Sequence, residues 1–112
     1  MLFRSVHFMG ETAKILNPSK KVLVPDLAAG CSLADSCSAD EFEKFVKSHP
    51  DYTVVSYVNT TAAVKALTDV VVTSTNAKKI VDQFPKDAKL IFGPDKNLGN
   101  YINSVTGRSM LL

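Results

Sequence analysis

The sequence predicts an α/β protein, a three-layer αβα sandwich around a four-stranded, mainly parallel sheet. Two observations predict this class. Short β-branched runs alternate with amphipathic stretches, as in βαβ units, and the runs are nearly continuous in Val, Ile, Leu and Phe, as in strands covered on both faces. The predicted strands are residues 21–24, 53–58, 70–73 and 89–92.

Apolar residues at helical spacing predict the helices. The stretch 8–16 is helical but precedes the first predicted strand, so it has no strand of its own to pack behind. Four more helices follow, marked in turn by Phe42, Phe45 and Val46; by Ala63, Val64 and Leu67; by Ala77, Ile80 and Phe84; and by Leu98, Tyr101, Ile102 and Val105.

Local signals place two helix ends. Ser38 followed three residues later by Glu41 is a capping-box pattern, which predicts a helix start just after Cys37. Gly107 is predicted to end the last helix, because glycine tolerates the left-handed conformation found there.

Both ends of the chain are predicted to be cut. Residues 109–112 start like a fifth strand and stop without its loop, and burying such an apolar end requires a neighbour outside the chain. We therefore predict a piece of a larger protein.

Composition excludes several classes of protein. A chain of 112 residues, 46% of them hydrophobic, has room for one small globular core. It lacks the run of roughly 18 to 20 apolar residues that spans a bilayer and the apolar stretch of a secretory signal. A net charge of +2 gathered on no face argues against nucleic acid. Two cysteines without an export signal predict a reducing, cytoplasmic setting.

Small polar residues follow every predicted strand. The four exits carry Gly30-Cys31-Ser32, Tyr57-Val58-Asn59-Thr60, Thr73-Ser74-Thr75-Asn76 and Gly93-Pro94-Asp95. Because ligands of open α/β sheets bind outside the carboxyl ends of the strands, these residues predict a functional site. One thiol cannot complete a metal site, so the predicted site is incomplete.

Each candidate residue also has a purely structural interpretation. Cys31 fits an iron ligand, since soft sulfur suits iron–sulfur clusters, or a half-buried structural thiol. Tyr57 and Asn59 alternate along one strand and are predicted to share a face, yet a core tyrosine and a turn-forming asparagine also fit. Ser74 fits a helix cap or an anion site at a helix N-terminus.

Other polar residues are assigned no role. Asp95 fits a turn or a helix cap as well as a site. His49 precedes Pro50 at a helix end, and His7 has no cysteine or carboxylate partner at metal-ligand spacing. Cys37 is interpreted as a small residue before a helix, with a reversible disulfide to Cys31 as the alternative.

Five strings of the chain match one known family in order and spacing. They are Val6-His7-Phe8-Met9-Gly10-Glu11-Thr12-Ala13, Pro25-Asp26-Leu27-Ala28-Ala29-Gly30-Cys31-Ser32-Leu33-Ala34-Asp35, Tyr57-Val58-Asn59-Thr60-Thr61-Ala62, Thr73-Ser74-Thr75-Asn76-Ala77 and Gly93-Pro94-Asp95-Lys96-Asn97-Leu98-Gly99. Together they resemble quinolinate synthase, the iron–sulfur enzyme of de novo NAD biosynthesis.

The resemblance implies an architecture and a set of site residues. The family enzyme has three similar αβα domains around a pseudo-threefold axis, and each domain donates one cysteine to a central [4Fe–4S] cluster. This chain would be the middle portion, with residues 1–18 as the helical tail of a preceding domain and residues 19–112 as a single αβα domain with a truncated last strand. Within it, Cys31 would be a cluster ligand, and Tyr57, Asn59 and Ser74 would be substrate-binding residues. The two partner cysteines are absent from this chain.

The resemblance also implies a reaction. The intact enzyme condenses iminoaspartate with dihydroxyacetone phosphate to quinolinate, with loss of phosphate and water. Three cysteines leave one iron free to act as a Lewis acid. The chain alone is expected to be inactive. Two alternatives stay open: one piece of a split enzyme completed in trans, and a non-catalytic α/β binding module.

Overall fold

The structure is a computed structural model that describes residues 6–112. Residues 1–5 of the predicted tail lie outside this range. In chain order, the described part contains α1 (His7–Leu16), α2 (Ser32–Asp35), α3 (Ala39–Lys47), β1 (Thr53–Tyr57), α4 (Ala62–Lys65), β2 (Val70–Val72), α5 (Ala77–Asp82), β3 (Leu90–Gly93) and α6 (Lys96–Thr106). None of the helices within residues 6–112 is long and apolar enough to cross a bilayer.

The three strands form a parallel sheet in the order β2-β1-β3. Ser56, in the central strand, pairs with Val71 on one side and with Gly93 on the other. The α/β class and the parallel sheet are therefore confirmed. All three strands run in one direction, so their carboxyl ends meet at one edge of the sheet.

The predicted strand at residues 21–24 is wrong. Leu23 makes a single isolated bridge instead of a ladder, and its side chain is 58% exposed. The segment runs beside α1, with which it lines a cavity. A β-branched run indicates that a segment packs against a neighbour, but it does not indicate whether that neighbour is a strand or a helix. Here the segment lies beside helix α1.

The last residues of the chain behave as the start of a strand. Leu111 pairs in parallel with Ile91, and its N–H and C=O bond to Leu90 and Phe92 at 3.0 and 2.8 Å. Met110 is thereby buried in the core of the domain. The edge of β3 therefore covers part of this apolar end, whereas Leu111 and Leu112 remain half-buried.

Apolar residues cover both faces of the sheet. Val55 belongs to a cluster with residues of α5 and α6, whereas the adjacent Val54 packs with residues of α3 and α4. Successive strand residues point to opposite faces, so β1 is buried on both sides. This explains the continuous apolar runs and is compatible with an αβα sandwich. The first cluster comprises Val55, Val72, Ala77, Val81, Leu90, Phe92, Ile102 and Met110, and the second Phe42, Val54, Val64 and Ile91.

The predicted helix ends are confirmed in position. Helix α3 begins directly after Ser38, although the Ser38 side chain makes no capping hydrogen bond. Helix α6 ends at Gly107, whose φ of 68° lies in the left-handed region that favours glycine. The short helix α2 was not predicted.

Helix α6 provides a test of the core. Ile102 is fully buried, so Ile102→Ala should lower the free energy of unfolding by about 2 to 5 kcal/mol, through lost burial and the cavity left behind. The matched control is Val105→Ala, on the same helix but 40% exposed, for which a loss below about 1 kcal/mol is expected. Urea unfolding of both variants measures the difference, and equal losses would contradict this packing.

Candidate functional site

The strand exits converge at one edge of the sheet. Tyr57 pairs with Val72, and the ladder continues one step further because the Val58 N–H donates to the Val72 carbonyl at 2.8 Å. On the other side Gly93, the last residue of β3, pairs with Ser56. The loops that begin with Val58, Thr73 and Pro94 therefore leave the sheet side by side.

Tyr57 and Asn59 occupy different structural settings. Tyr57 is the last residue of β1 and is half-buried. Asn59 lies in a bend beyond the strand, at the apex of a three-residue turn closed by the Thr60 N–H donating to the Val58 carbonyl at 2.8 Å. The prediction of a shared face assumed that the strand continues through Asn59, and β1 ends before it.

Asn59 borders a small apolar cavity of about 230 Å³. Helix α1 forms most of its wall, and the lining residues are Phe8, Met9, Thr12, Ala13, Leu16, Val58 and Asn59. A carboxamide at the edge of an apolar cavity can direct a hydrogen bond to a ligand from which water is partly excluded, where such bonds are stronger. This geometry suits a binding role for Asn59.

Lys65, at the end of α4, is hydrogen-bonded to the backbone on both sides of Asn59. Its ammonium donates to the carbonyls of Val58, at 2.9 Å, and of Thr60. Burial lowers the pKa of Lys65, and the nearby Glu11 carboxylate opposes that shift. No role for Lys65 is predicted from the sequence, because a lysine in a helical stretch carries no sign that its side chain bonds to the preceding turn.

Ser74 is exposed in the turn between β2 and α5. The N-cap of α5 is Asn76, and the Asn76 side-chain oxygen accepts the Thr73 N–H at 2.7 Å. The interpretation of Ser74 as a helix cap is therefore wrong. Ser74 follows β2 at the same carboxyl edge of the sheet at which Tyr57 ends β1. Helix α5 has only six residues and starts three positions after Ser74, so Ser74 does not lie at the first residue of that helix.

Cys31 does not follow a strand, contrary to the prediction. It is the half-buried N-cap residue of α2, whose first turn closes with the Asp35 N–H on the Cys31 carbonyl at 2.8 Å. The loop before it is tied to α1, because the His7 N–H donates to the Ala29 carbonyl at 2.9 Å. Helix α1, and not the sheet, therefore positions the thiol.

Helix α1 also contacts the other side of the site. The Glu11 carboxylate accepts the Ala62 N–H at the start of α4, at 2.8 Å. The other oxygen of this carboxylate lies 3.7 Å from His7 Nδ1. The only sequence signal for this connection is that His7 and Glu11 fall in one of the five matching strings.

A second cavity, of about 470 Å³, opens at the exit of β3. Cys37, Glu41 and Phe42 line one side of it, and Pro94 and Asp95 the other. Burial raises the pKa of the Cys37 thiol, and the charge of Glu41 raises it further. Cys37 and Cys31 are both free thiols.

Asp95 is a helix cap, as the structural interpretation held. Its carboxylate accepts the N–H groups of Asn97 and Leu98 at 2.9 and 3.0 Å, at the start of α6. His49 likewise follows the end of α3, where Nδ1 lies 2.9 Å from the Phe45 carbonyl.

The donor set limits what metal chemistry this chain can support. Within residues 6–112, no three His, Cys, Asp or Glu side chains come together as a metal site. Cys31 is a half-buried thiol on a helix-capped loop, which suits one ligand of an iron–sulfur cluster whose remaining ligands come from elsewhere.

Comparison with known proteins gives a consistent result. The family model for quinolinate synthetase A protein matches residues 1–112. Quinolinate synthases of Synechocystis and of Trichodesmium erythraeum are each 61% identical over all 112 residues, and that of Chloroherpeton thalassium is 57% identical. The chain spans 35% of the length of each of these relatives.

The reactivity of Cys37 is predicted to depend on pH. Burial and Glu41 both disfavour the thiolate of Cys37. In a Cys31→Ser variant, the rate of Cys37 alkylation by iodoacetamide should therefore reach half of its maximum at a higher pH than that of free cysteine, and this pH is the midpoint. Adding Glu41→Gln should lower the midpoint without bringing it down to the free value, since burial is the larger cause. Mass spectrometry of the alkylated peptide measures the rate. A midpoint at or below that of free cysteine would contradict the buried environment.

Proposed function

We propose that this chain, which belongs to the quinolinate synthetase A family, provides one domain of an iron–sulfur quinolinate synthase. The observation that carries the proposal is the match to quinolinate synthases over the whole chain. The domain would contribute one cluster ligand and part of the substrate pocket, and it would be inactive by itself.

The proposed reaction condenses iminoaspartate with dihydroxyacetone phosphate to quinolinate, in de novo NAD biosynthesis. Both substrates carry anionic groups, so their binding requires hydrogen-bond donors. The carboxyl edge of the sheet offers the phenol of Tyr57, the carboxamide of Asn59 and the hydroxyl of Ser74. Their strands are paired in register, which supports a common pocket.

The roles of these residues follow from their chemistry. The Asn59 amide would donate to a substrate carboxylate, and Tyr57 and Ser74 would add hydroxyl donors to orient it. The charge of Lys65, behind the turn, favours an anion at this place. The apolar wall from α1 would exclude water and strengthen these bonds.

The Cys31 thiolate would hold one iron of a [4Fe–4S] cluster. When bound, such a cluster supplies a Lewis acid at an iron without a protein ligand. The contribution of this chain is to hold the thiol in place, through the N-cap position on α2 and the bond between His7 and Ala29.

The remaining domains of the enzyme are the proposed partners. We propose an αβα sandwich over residues 19–112, one of three similar domains, with residues 1–18 as the tail of a preceding domain. Large apolar side chains on and near α1 are exposed: Leu16 by 74%, Leu27 by 72% and Leu23 by 58%. Such a surface suits coverage by further protein. The two free thiols support a reducing, cytoplasmic location.

Anaerobic reconstitution with iron and sulfide tests the proposal. We expect the chain alone to form no stoichiometric [4Fe–4S] cluster and no quinolinate, because one thiol cannot hold a cluster. Co-expression with the remaining two thirds of the Synechocystis quinolinate synthase should restore both, measured by cluster absorption and quinolinate formation.

Two cysteine variants of the co-expressed protein provide the matched control. Cys31→Ser should abolish cluster and activity, whereas Cys37→Ser should leave both unchanged. Quinolinate production by the chain alone would refute its incompleteness. An active Cys31→Ser variant would refute the ligand assignment.

A further inference from the structure

We propose that Lys65 is a positioning residue that sets the Asn59 turn and thereby places the Asn59 carboxamide for a carboxylate ligand. The assignment of the ligand rests on the function proposed above. The ordering of the turn by Lys65 rests on the contacts alone.

The contacts place Lys65 on both sides of Asn59. Its ammonium donates to the Val58 carbonyl and to the Thr60 carbonyl, the two that flank Asn59 in the chain. The Thr60 N–H closes the turn onto the same Val58 carbonyl. A lysine has three N–H donors, and two are used here. Changing the turn would require breaking at least one of these bonds.

Lys65 is itself held in place. It ends α4, the helix that begins with Thr61 capping the Val64 N–H, and Val64 is fully buried. Its ammonium lies 5.6 Å from the centre of the Phe8 ring, within the range of a cation–π contact. A side chain fixed at both ends can transmit the position of the helix to the turn.

The neighbouring groups on α1 keep the cation in this position. Glu11 attracts the ammonium and also accepts the Ala62 N–H at the start of α4. His7 lies against the other oxygen of the Glu11 carboxylate. Burial nevertheless lowers the pKa of Lys65, so the site disfavours the charge that it holds. This cost is understandable if the charge orders the turn.

The fixed end of the turn supports this interpretation. Thr60 is fully buried, and its hydroxyl donates to the Tyr57 carbonyl at 3.2 Å. Asn59, between Thr60 and the bonded Val58 carbonyl, lines the cavity together with Val58. Loss of the Lys65 bonds would let the Val58 carbonyl and Asn59 move, so that the bond from the Thr60 N–H to the Val58 carbonyl opens more often while the Thr60 side chain stays anchored.

Hydrogen exchange in the 112-residue chain tests the ordering of the turn. In Lys65→Met we expect the Thr60 amide to exchange at least about tenfold faster, since its turn opens more often. Lys65→Arg, which keeps charge and donors, should restore exchange to within about threefold of the parent. The matched control is Lys79→Met, an exposed lysine on α5, which should change nothing.

Ligand binding tests the positioning. Because this chain would contribute only part of the pocket, quinolinate is titrated into the same variants assembled with the remaining two thirds of the Synechocystis quinolinate synthase, and the NMR shift of the Asn59 side-chain amide is followed. Lys65→Met and Asn59→Ala should each weaken binding about tenfold, the loss of one hydrogen bond to a charged group. The shift of a neighbouring backbone amide reports binding in Asn59→Ala. The double variant should bind no more weakly than either single variant, because Lys65 acts through Asn59.

The outcomes separate the two parts of the proposal. Unchanged Thr60 exchange in Lys65→Met, or additive losses in the double variant, would overturn the role of Lys65. If Asn59→Ala binds quinolinate normally while Lys65→Met still exchanges faster, the substrate role of Asn59 is refuted and the ordering of the turn is upheld. If circular dichroism shows Lys65→Met unfolded, Lys65→Gln, which keeps a shorter donor, replaces it with the same expected direction.

Discussion

The parallel pairing of β1 with both of its neighbours is the constraint on which the rest of the structure depends. Ser56 is in register with Val71 on one side and with Gly93 on the other, so three chain segments end at the same height. A slip of one residue would turn Val54 and Val55 to the wrong faces and exchange the two core clusters. The same register that fixes the core therefore brings Tyr57, and the loops beyond it, to a single edge.

The sheet explains only half of the candidate site. Cys31 is not at the end of a strand; it depends on α1, which is bonded to the loop at Ala29 and to the start of α4 at Ala62. Helix α1 thus connects the proposed cluster ligand with the proposed substrate residue Asn59. In a chain that spans 35% of the length of its relatives, this connection is what holds the two parts of the site in a common frame.

Of the charged residues that the structure describes, Lys65 lies closest to the Asn59 turn, and its position explains its role. Lys65 is half-buried between α1 and the exit of β1, with Glu11 close enough to influence its pKa. Its ammonium is bonded to the two backbone carbonyls that flank Asn59 in the chain. A buried cation contributes little net stability once its desolvation is counted. The role of Lys65 is to fix the backbone around Asn59, which lies in a bend outside the helices and strands and so lacks their regular hydrogen bonds.

Local sequence patterns were enough to predict the α/β class, the helices α1 and α3 to α6, the strands β1 to β3 to within a residue at each end, and the family. These features are visible locally, in the spacing of apolar residues and in the turn residues. Which surfaces meet became clear from the three-dimensional packing. It placed residues 21–24 against a helix, assigned the cap of α5 to Asn76 instead of Ser74, and joined Glu11 to Ala62 across 51 positions. The physical reason is that a periodic pattern shows that a surface must be covered, whereas the choice of neighbour depends on chain connectivity and on hydrogen bonds between distant residues.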